Sequence, residues 1–421
     1  MRALTLCDHF LVAAVFAGET LSAHGPAENA LPNGNFAQAL AGQRDNHHQQ
    51  RFKFWLREDD EDDGHDDSMA MPFQFAGLNT FAKVPWADCF SKGGTDNRYD
   101  IAILGAPHDT TVTARPGARY GPTSIRTASQ EKAYGFSIFT GRNPLHDWAK
   151  IVDCGDAPLP WLDSRAAVKT LDRAHKLVSS RIAASTHRST VPRIVALGGD
   201  HTTTLSALRS TFRHWGKVSV VHFDSHIDTW DPAVLGGGIS DYAGLNHGTF
   251  LHVAHEEVKY PQAPLQNLIL NSSIHAGIRA PVNRRKADME NDRRCGFHTI
   301  MAREIDRSGI KAVVDTIRKR VGDTNIYISV DIDVLDPAFA PATGTPEPGG
   351  WSSRELLSIL EGLEGLNIIG GDVVEVAPVY DTVGETTALV AAEVAHTIVD
   401  LMVANPVSPP TSKLQGKSPV P

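Results

Sequence analysis

Cysteine is scarce: four residues in 421, none at the short spacing of a zinc-thiolate site. That excludes a disulfide-dense scaffold. Positive charge is also short. Lys and Arg total 40 against 49 Asp and Glu, a formal net charge of −9, which gives no support to nucleic-acid binding. No apolar run reaches the ~20 residues needed to cross a bilayer, so no membrane-embedded part is expected. Most of the acidity lies in one stretch. Glu58 to Asp67 carries eight acidic residues and no basic one, and without it the net charge would be −1. What remains, 41% hydrophobic and 21% charged, is an ordinary globular balance able to bury a sizeable core.

The ends read differently from the middle. Arg2, the apolar run Phe10 to Gly18, and the small residues Leu21-Ser22-Ala23 form the pattern of a signal peptide over residues 1–23. Secretion is therefore expected. Residues 24–71 are rich in Asn, Gln, His, Asp and Gly, without helical or strand periodicity, and read as a disordered acidic leader. Residues 405–421 read as a loose Pro- and Ser-rich tail. Once Cys7 leaves with the signal peptide, three cysteines remain. A Cys89–Cys154 bridge is possible, but the sequence does not establish it.

Between these ends, residues 72–404 alternate short apolar runs with helical patterns. Strands are predicted at Asp100–Leu104, Lys150–Asp153, Arg193–Leu197, Lys217–Phe223, Ser273–Ile278, Asn325–Val330 and Ile368–Val376. Helices are predicted at Ser164–Ser185, His201–Trp215, Glu304–Arg320 and Thr386–Met402. Such alternation gives an α/β fold with helices on both faces of a mostly parallel sheet. Functional residues then gather at the carboxyl ends of the strands.

Three clusters occupy that position: Gly198-Gly199-Asp200-His201, Asp224-Ser225-His226-Ile227-Asp228, and Asp331-Ile332-Asp333. In extended chain, alternate side chains share a face. Asp224, His226 and Asp228 therefore project together, as do Asp331 and Asp333, and His201 joins them from a neighbouring strand. Four buried carboxylates carry −4, a charge too costly to leave unpaired. Two divalent cations neutralise it, and two bridging carboxylates let six residues serve both. Oxygen-rich ligands with one imidazole per ion and no thiolate favour Mn²⁺.

These motifs resemble those of the ureohydrolase (arginase/agmatinase) family over roughly residues 77–404. The resemblance implies a three-layer α/β/α sandwich. It assigns His201, Asp224, Asp228 and Asp331 to one Mn²⁺, and Asp224, His226, Asp331 and Asp333 to the other, with Asp224 and Asp331 bridging. Ser225 stands where the family usually has Ala, and is expected to point away from the metals. Arg115 to Pro122, Asn246 to Phe250, Gly344 to Gly350 and Val373 to Pro378 are similar to the agmatinase branch. The leader looks like that of secreted fungal members.

The resemblance makes His247 the proton shuttle and Glu375 the guanidinium anchor, since a carboxylate accepts paired N–H bonds from that planar cation. Asp200 is expected to orient His201 or a neighbouring turn, and the Arg115-Pro116-Gly117 loop to serve backbone shape. The expected activity is hydrolysis of agmatine to urea and putrescine by a homo-oligomer. Another linear guanidino substrate, 4-guanidinobutyrate or arginine, is the alternative. A deacetylase of related fold fits the motifs poorly, and a non-catalytic metal-binding protein would need neither His247 nor Glu375.

Overall fold

A computed structural model describes residues 77–91, 98–132, 135–240, 242–257 and 267–409. The signal peptide, the leader and all but residues 405–409 of the tail lie outside the described residues.

The described residues form eight strands: β1 (Ile101–Gly105), β2 (Ile151–Asp156), β3 (Arg193–Leu197), β4 (Ser219–Phe223), β5 (Ser273–Ile278), β6 (Phe297–Met301), β7 (Ile326–Asp331) and β8 (Ile368–Val374). The helices are α1 (Gly121–Ala128), α2 (Ser164–Ser179), α3 (Thr203–Trp215), α4 (Phe250–Glu256), α5 (Arg285–Arg294), α6 (Glu304–Val321), α7 (Ser353–Glu361) and α8 (Thr386–Ala404). The strands make one parallel sheet in the order β2-β1-β3-β8-β7-β4-β5-β6.

Alternation along the strands explains the layers. Ile326, Ile328 and Val330 of β7 join one apolar cluster, with Val221 and Phe223 of β4 and residues of α6, α7 and α8. Tyr327 and Val220 join a second, with Leu205 and Leu208 of α3 and Phe250 of α4. Both faces are thus covered, as a parallel sheet requires. The α/β architecture expected from the sequence is the one observed.

Several boundaries differ. The helix predicted to Ser185 stops at Ser179, and the one predicted from His201 starts at Thr203, because Asp200 to Thr202 form the turn that enters it. The last strand ends at Val374, before Glu375 takes φ 61°. Helix α8 departs from the expectation that no later segment could cross a membrane: its mean hydropathy reaches 1.6. It is 78% buried and packs on α1, α7 and β8, so its apolarity belongs to the core.

Cys89 and Cys154 are joined in a disulfide that ties the segment before β1 to β2, with Cα atoms 5.4 Å apart. Cys295 is free and buried. The bridge spans 65 residues of sequence, so in the chain-entropy view it removes much freedom from the unfolded state. Replacing both cysteines by serine should cost about 2–4 kcal/mol. Thermal unfolding of the double variant, and of the wild type with and without reductant, checks this; three identical midpoints would contradict it.

Candidate metal centre and active site

The sequence-predicted residues converge where four neighbouring strands end. β3, β8, β7 and β4 are consecutive in the middle of the sheet. His201 follows β3, Glu375 follows β8, Asp331 closes β7 with Asp333 in the turn behind it, and Asp224 follows β4. The Gly198-Gly199 pair permits the close approach: a Cβ on Gly199 would lie 1.9 Å from the His108 carbonyl oxygen, and one on Gly198 2.5 Å from Val374 Cγ1. Asp228 and Glu375 both hold left-handed backbone, at φ 50° and 61°. That conformation costs a non-glycine residue about 1–2 kcal/mol, and it occurs at two of the predicted site residues.

His201 Nδ1 lies 3.1 Å from Asp224 Oδ2, 3.1 Å from Asp228 Oδ2 and 3.2 Å from Asp331 Oδ2. His226 Nδ1 lies 3.3 Å from Asp224 Oδ1 and 3.1 Å from Asp333 Oδ2. Asp224 thus offers one oxygen to each imidazole, the disposition of a bridge. Asp331 turns its Oδ2 to His201 Nδ1. Its Oδ1 accepts the Asp333 N–H at 2.9 Å, as Asp224 Oδ1 accepts the His226 N–H at 2.5 Å.

The charge balance fits cations. Asp224 Oδ2 is fully buried without a hydrogen-bond partner. Burial and the neighbouring Asp333 and Asp224 push Asp331 well above the usual carboxylate range. Burial and Asp224 push Asp228 up to about 6. Burial opposes charge on His201 and His226, yet the carboxylates hold both well above the ordinary imidazole value. Carboxylates that favour protons this strongly lack positive charge, and divalent ions supply it.

The surrounding groups fix the ligand atoms. Ser329 Oγ donates to Asp372 Oδ1 at 2.6 Å and lies 2.8 Å from His201 Nε2. With its proton committed, Ser329 accepts from Nε2–H, which leaves the Nδ1 lone pair facing the carboxylates. Asp372 also takes Tyr327 O–H and Thr204 O–H, at 2.7 and 2.8 Å. Asp200 accepts from the Thr202 and Thr111 amides and from the Thr111 hydroxyl, so it shapes backbone turns and leaves His201 to Ser329.

Ser225 corrects an expectation. It does not point away: its Oγ donates to Asp333 Oδ1 at 2.7 Å and sits 3.0 Å from His226 Nδ1. β4 has already ended at Phe223, so strand alternation does not govern residue 225.

His222 was missed. It shares the i, i+2 spacing of Asp224, His226 and Asp228, and that spacing was the available signal. Its Nε2, also without a hydrogen-bond partner, faces Asp224 Oδ2 at 3.1 Å. Its Nδ1 lies 2.8 Å from His275 Nδ1, whose ring reaches Asp292 at 2.9 Å. Two clusters of metal-ligand type result: His201, His222, Asp224 and Asp228; and Asp224, His226 and Asp333.

His247 and Glu375 meet directly. His247 Nδ1 lies 2.9 Å from Glu375 Oε1, which also accepts the His201 amide at 2.8 Å. Glu375 Oε2 is buried and unpartnered. The two-oxygen grip on a guanidinium expected from the sequence therefore has only Oε2 free while His247 holds Oε1. Thr113, unnoticed in the sequence, faces His247 Nε2 with its amide at 3.0 Å and its hydroxyl at 2.7 Å. Burial disfavours a charge on His247. The Glu375 carboxylate, helped by Asp228 and Asp200, outweighs burial and pushes the His247 pKa up to about 9, because a charge-assisted bond in a dry site is the stronger one. Arg115 is exposed, its guanidinium 5.6 Å from the Tyr380 ring.

A cavity of about 170 Å³ opens beside these groups. His226, Asp228, Asp331 and His247 line it together with Trp230, Leu235, Asn283 and Glu347. Among the described residues no Lys or Arg lines it.

The arginase family model matches residues 99–400. "Putative agmatinase 1" of Schizosaccharomyces pombe is 45% identical over 354 residues, covering 82% of this chain and 86% of that protein. The agmatinase of Neisseria meningitidis serogroup C is 37% identical over 302 residues, 71% of this chain and 86% of its own. Among solved structures, proclavaminate amidino hydrolase from Streptomyces clavuligerus superposes with a TM-score of 0.66 at 32% identity, covering 79% of this chain and 99% of the other. Fold, strand-end ligands and these likenesses agree: the chain belongs to the arginase (ureohydrolase) family, in its agmatinase branch, and is an amidinohydrolase.

Proposed function

We propose that the protein hydrolyses agmatine to urea and putrescine, using two Mn²⁺ ions held by His201, Asp224, Asp228 and Asp331 and by Asp224, His226, Asp331 and Asp333. The observation that carries the substrate is the cavity wall. Among the described residues it presents carboxylates and no Lys or Arg. A cationic tail is welcome there, whereas the carboxylate of arginine or 4-guanidinobutyrate would be buried without a partner.

Two bound divalent ions would offset the four carboxylates and lower the pKa of water to supply a nucleophile. The remaining work falls to the chain. Glu375 Oε2 accepts a guanidinium N–H and orients the carbon toward the ligand cluster. His247, its ring held between Glu375 Oε1 and Thr113, would offer its proton to the leaving nitrogen. Trp230 and Leu235 shield the site from water.

The protein is further proposed to be secreted and homo-oligomeric. The Cys89–Cys154 bridge supports an oxidising compartment. N-terminal sequencing of the secreted chain should then begin near His24. The exposed side chains of Phe136, Ile138 and Phe139 support a self-association surface.

Metal binding should depend on the residues behind the ligands. Asp331→Asn should lose metal and activity together. Ser329→Ala or Asp372→Asn should weaken Mn²⁺ affinity by about 10–100-fold. Metal titration of the purified variants measures this, and a fully active, fully loaded Asp331→Asn would refute the ligand assignment.

The pH profile follows from His247. Its raised pKa keeps the ring protonated below about 9, so kcat should fall as pH rises through that value. His247→Asn should lower kcat by about 10²–10⁴-fold and remove that limb. An unchanged profile in the variant would exclude the shuttle role.

Substrate choice is read by comparing kcat/KM at equal Mn²⁺ loading. Agmatine should exceed arginine and 4-guanidinobutyrate by about 10²-fold or more. Arginine at or above agmatine would overturn the agmatinase reading and leave family membership intact.

A further inference from the structure

We propose that Glu347 is the residue that selects for a cationic substrate tail. This inference rests on the guanidino-hydrolase reading above and adds the group that receives the far end. Glu347 is the one carboxylate lining the cavity that is neither a proposed metal ligand nor held by the fold. Its side chain is about one-third exposed (31%), and its carboxylate faces His226, whose Nε2 is 3.9 Å from Oε1. Among the described residues no donor hydrogen-bonds its carboxylate. The other cavity carboxylates, Asp228 and Asp331, face His201 Nδ1.

Its position suits the task. The His226 ring separates the two sites: Nδ1 turns to Asp224 and Asp333, and Nε2 to Glu347. Glu347 is therefore set off from the reacting end by one imidazole width and a further 3.9 Å, room for a short aliphatic spacer. Trp230 and Leu235 give that spacer apolar walls.

The loop bearing Glu347 is fixed in advance. Arg279 donates to the Glu347 carbonyl from Nε at 3.1 Å and Nη2 at 2.7 Å, and to the carbonyls of Asp333, Val334 and Leu335. Asp336 accepts the Gly349 and Gly350 amides. Arg279 is the nearby cation, and its donors are spent on main-chain carbonyls. It cannot partner a substrate carboxylate, so Glu347 sets the sign of the tail.

The test compares wild type, Glu347→Gln and Glu347→Lys, each loaded with Mn²⁺, on agmatine and 4-guanidinobutyrate. These substrates carry opposite charges at the far end. Glu347→Gln should lower kcat/KM for agmatine by about 10–100-fold, the worth of a charged hydrogen bond, with most of the loss in KM. It should raise kcat/KM for 4-guanidinobutyrate and leave two metals bound per chain. Glu347→Lys should reverse the preference. Wild type active on agmatine, with the substrate ratio unmoved in both variants, overturns this inference alone. Equal losses on both substrates together with lost metal also overturn it, and would make Glu347 a positioning residue for His226. A wild type inactive on agmatine overturns the proposed function itself.

Discussion

The architecture of the site follows from one electrostatic constraint, the confinement of four carboxylates at a dry strand-end surface. Asp224 and Asp333 are fully buried, and Asp228 and Asp331 nearly so. Such a cluster is untenable without compensating positive charge. The protein does not supply it from Lys or Arg. It supplies two imidazoles, His201 and His226, and leaves carboxylate oxygens directed at them. The Asp372–Ser329–His201 chain is the clearest instance: a buried carboxylate in the sheet fixes which nitrogen of His201 faces the site. A metal centre in this place is therefore a property of the fold's interior as much as of the ligands.

The same constraint explains why four adjacent strands are needed. No single strand end could present six ligands without crowding. The order β3-β8-β7-β4 spreads them over neighbouring positions, and it inserts Glu375 between His201 and Asp331. Strand β8 carries Gly370 and Gly371, and a Cβ on either would crowd Tyr327 or the Ile328 carbonyl and Ile398. The small residues let the central strands pack closely against Tyr327 and Ile398.

Much of this was legible in the sequence, and the parts that were not have physical reasons. Each ligand motif directly follows an apolar run, so the strands and the six ligands could be read together. β6 escaped because it is the edge strand: His298 and Met301 are exposed, which breaks the apolar run. Helix α5, Arg285–Arg294, buries only Asp288 and Asp292, so it offers no apolar stripe. Helix α7 did carry a signal, the Ser352–Glu355 capping box, which went unread. Thr113 is 134 residues from His247, and no local pattern announces such a contact. Asp224, His226 and Asp228 were grouped by strand alternation, yet the strand stops at Phe223. The ligands converge through a turn that ends with Asp228 in left-handed backbone. The same turn brings Ser225 onto Asp333, where alternation would have sent it away.

The left-handed backbone at Glu375 gives the last step. Helical or extended geometry at residue 375 would continue β8 or fold it back, and in neither case would one carboxylate oxygen reach both the His201 amide and the His247 ring. The strain is offset by those two bonds, at 2.8 and 2.9 Å, and by the Glu375 amide on the Gly199 carbonyl at 2.8 Å. Glu375 therefore fastens the start of the His201 turn and sets the charge of the proposed proton donor with a single atom. Ligand placement and proton supply are coupled through Oε1, while Oε2 remains buried and unpartnered. A buried carboxylate oxygen without a donor is costly unless another molecule completes it. A planar cation with N–H groups has the chemistry to do so, and it would arrive beside the ligand cluster and within reach of His247.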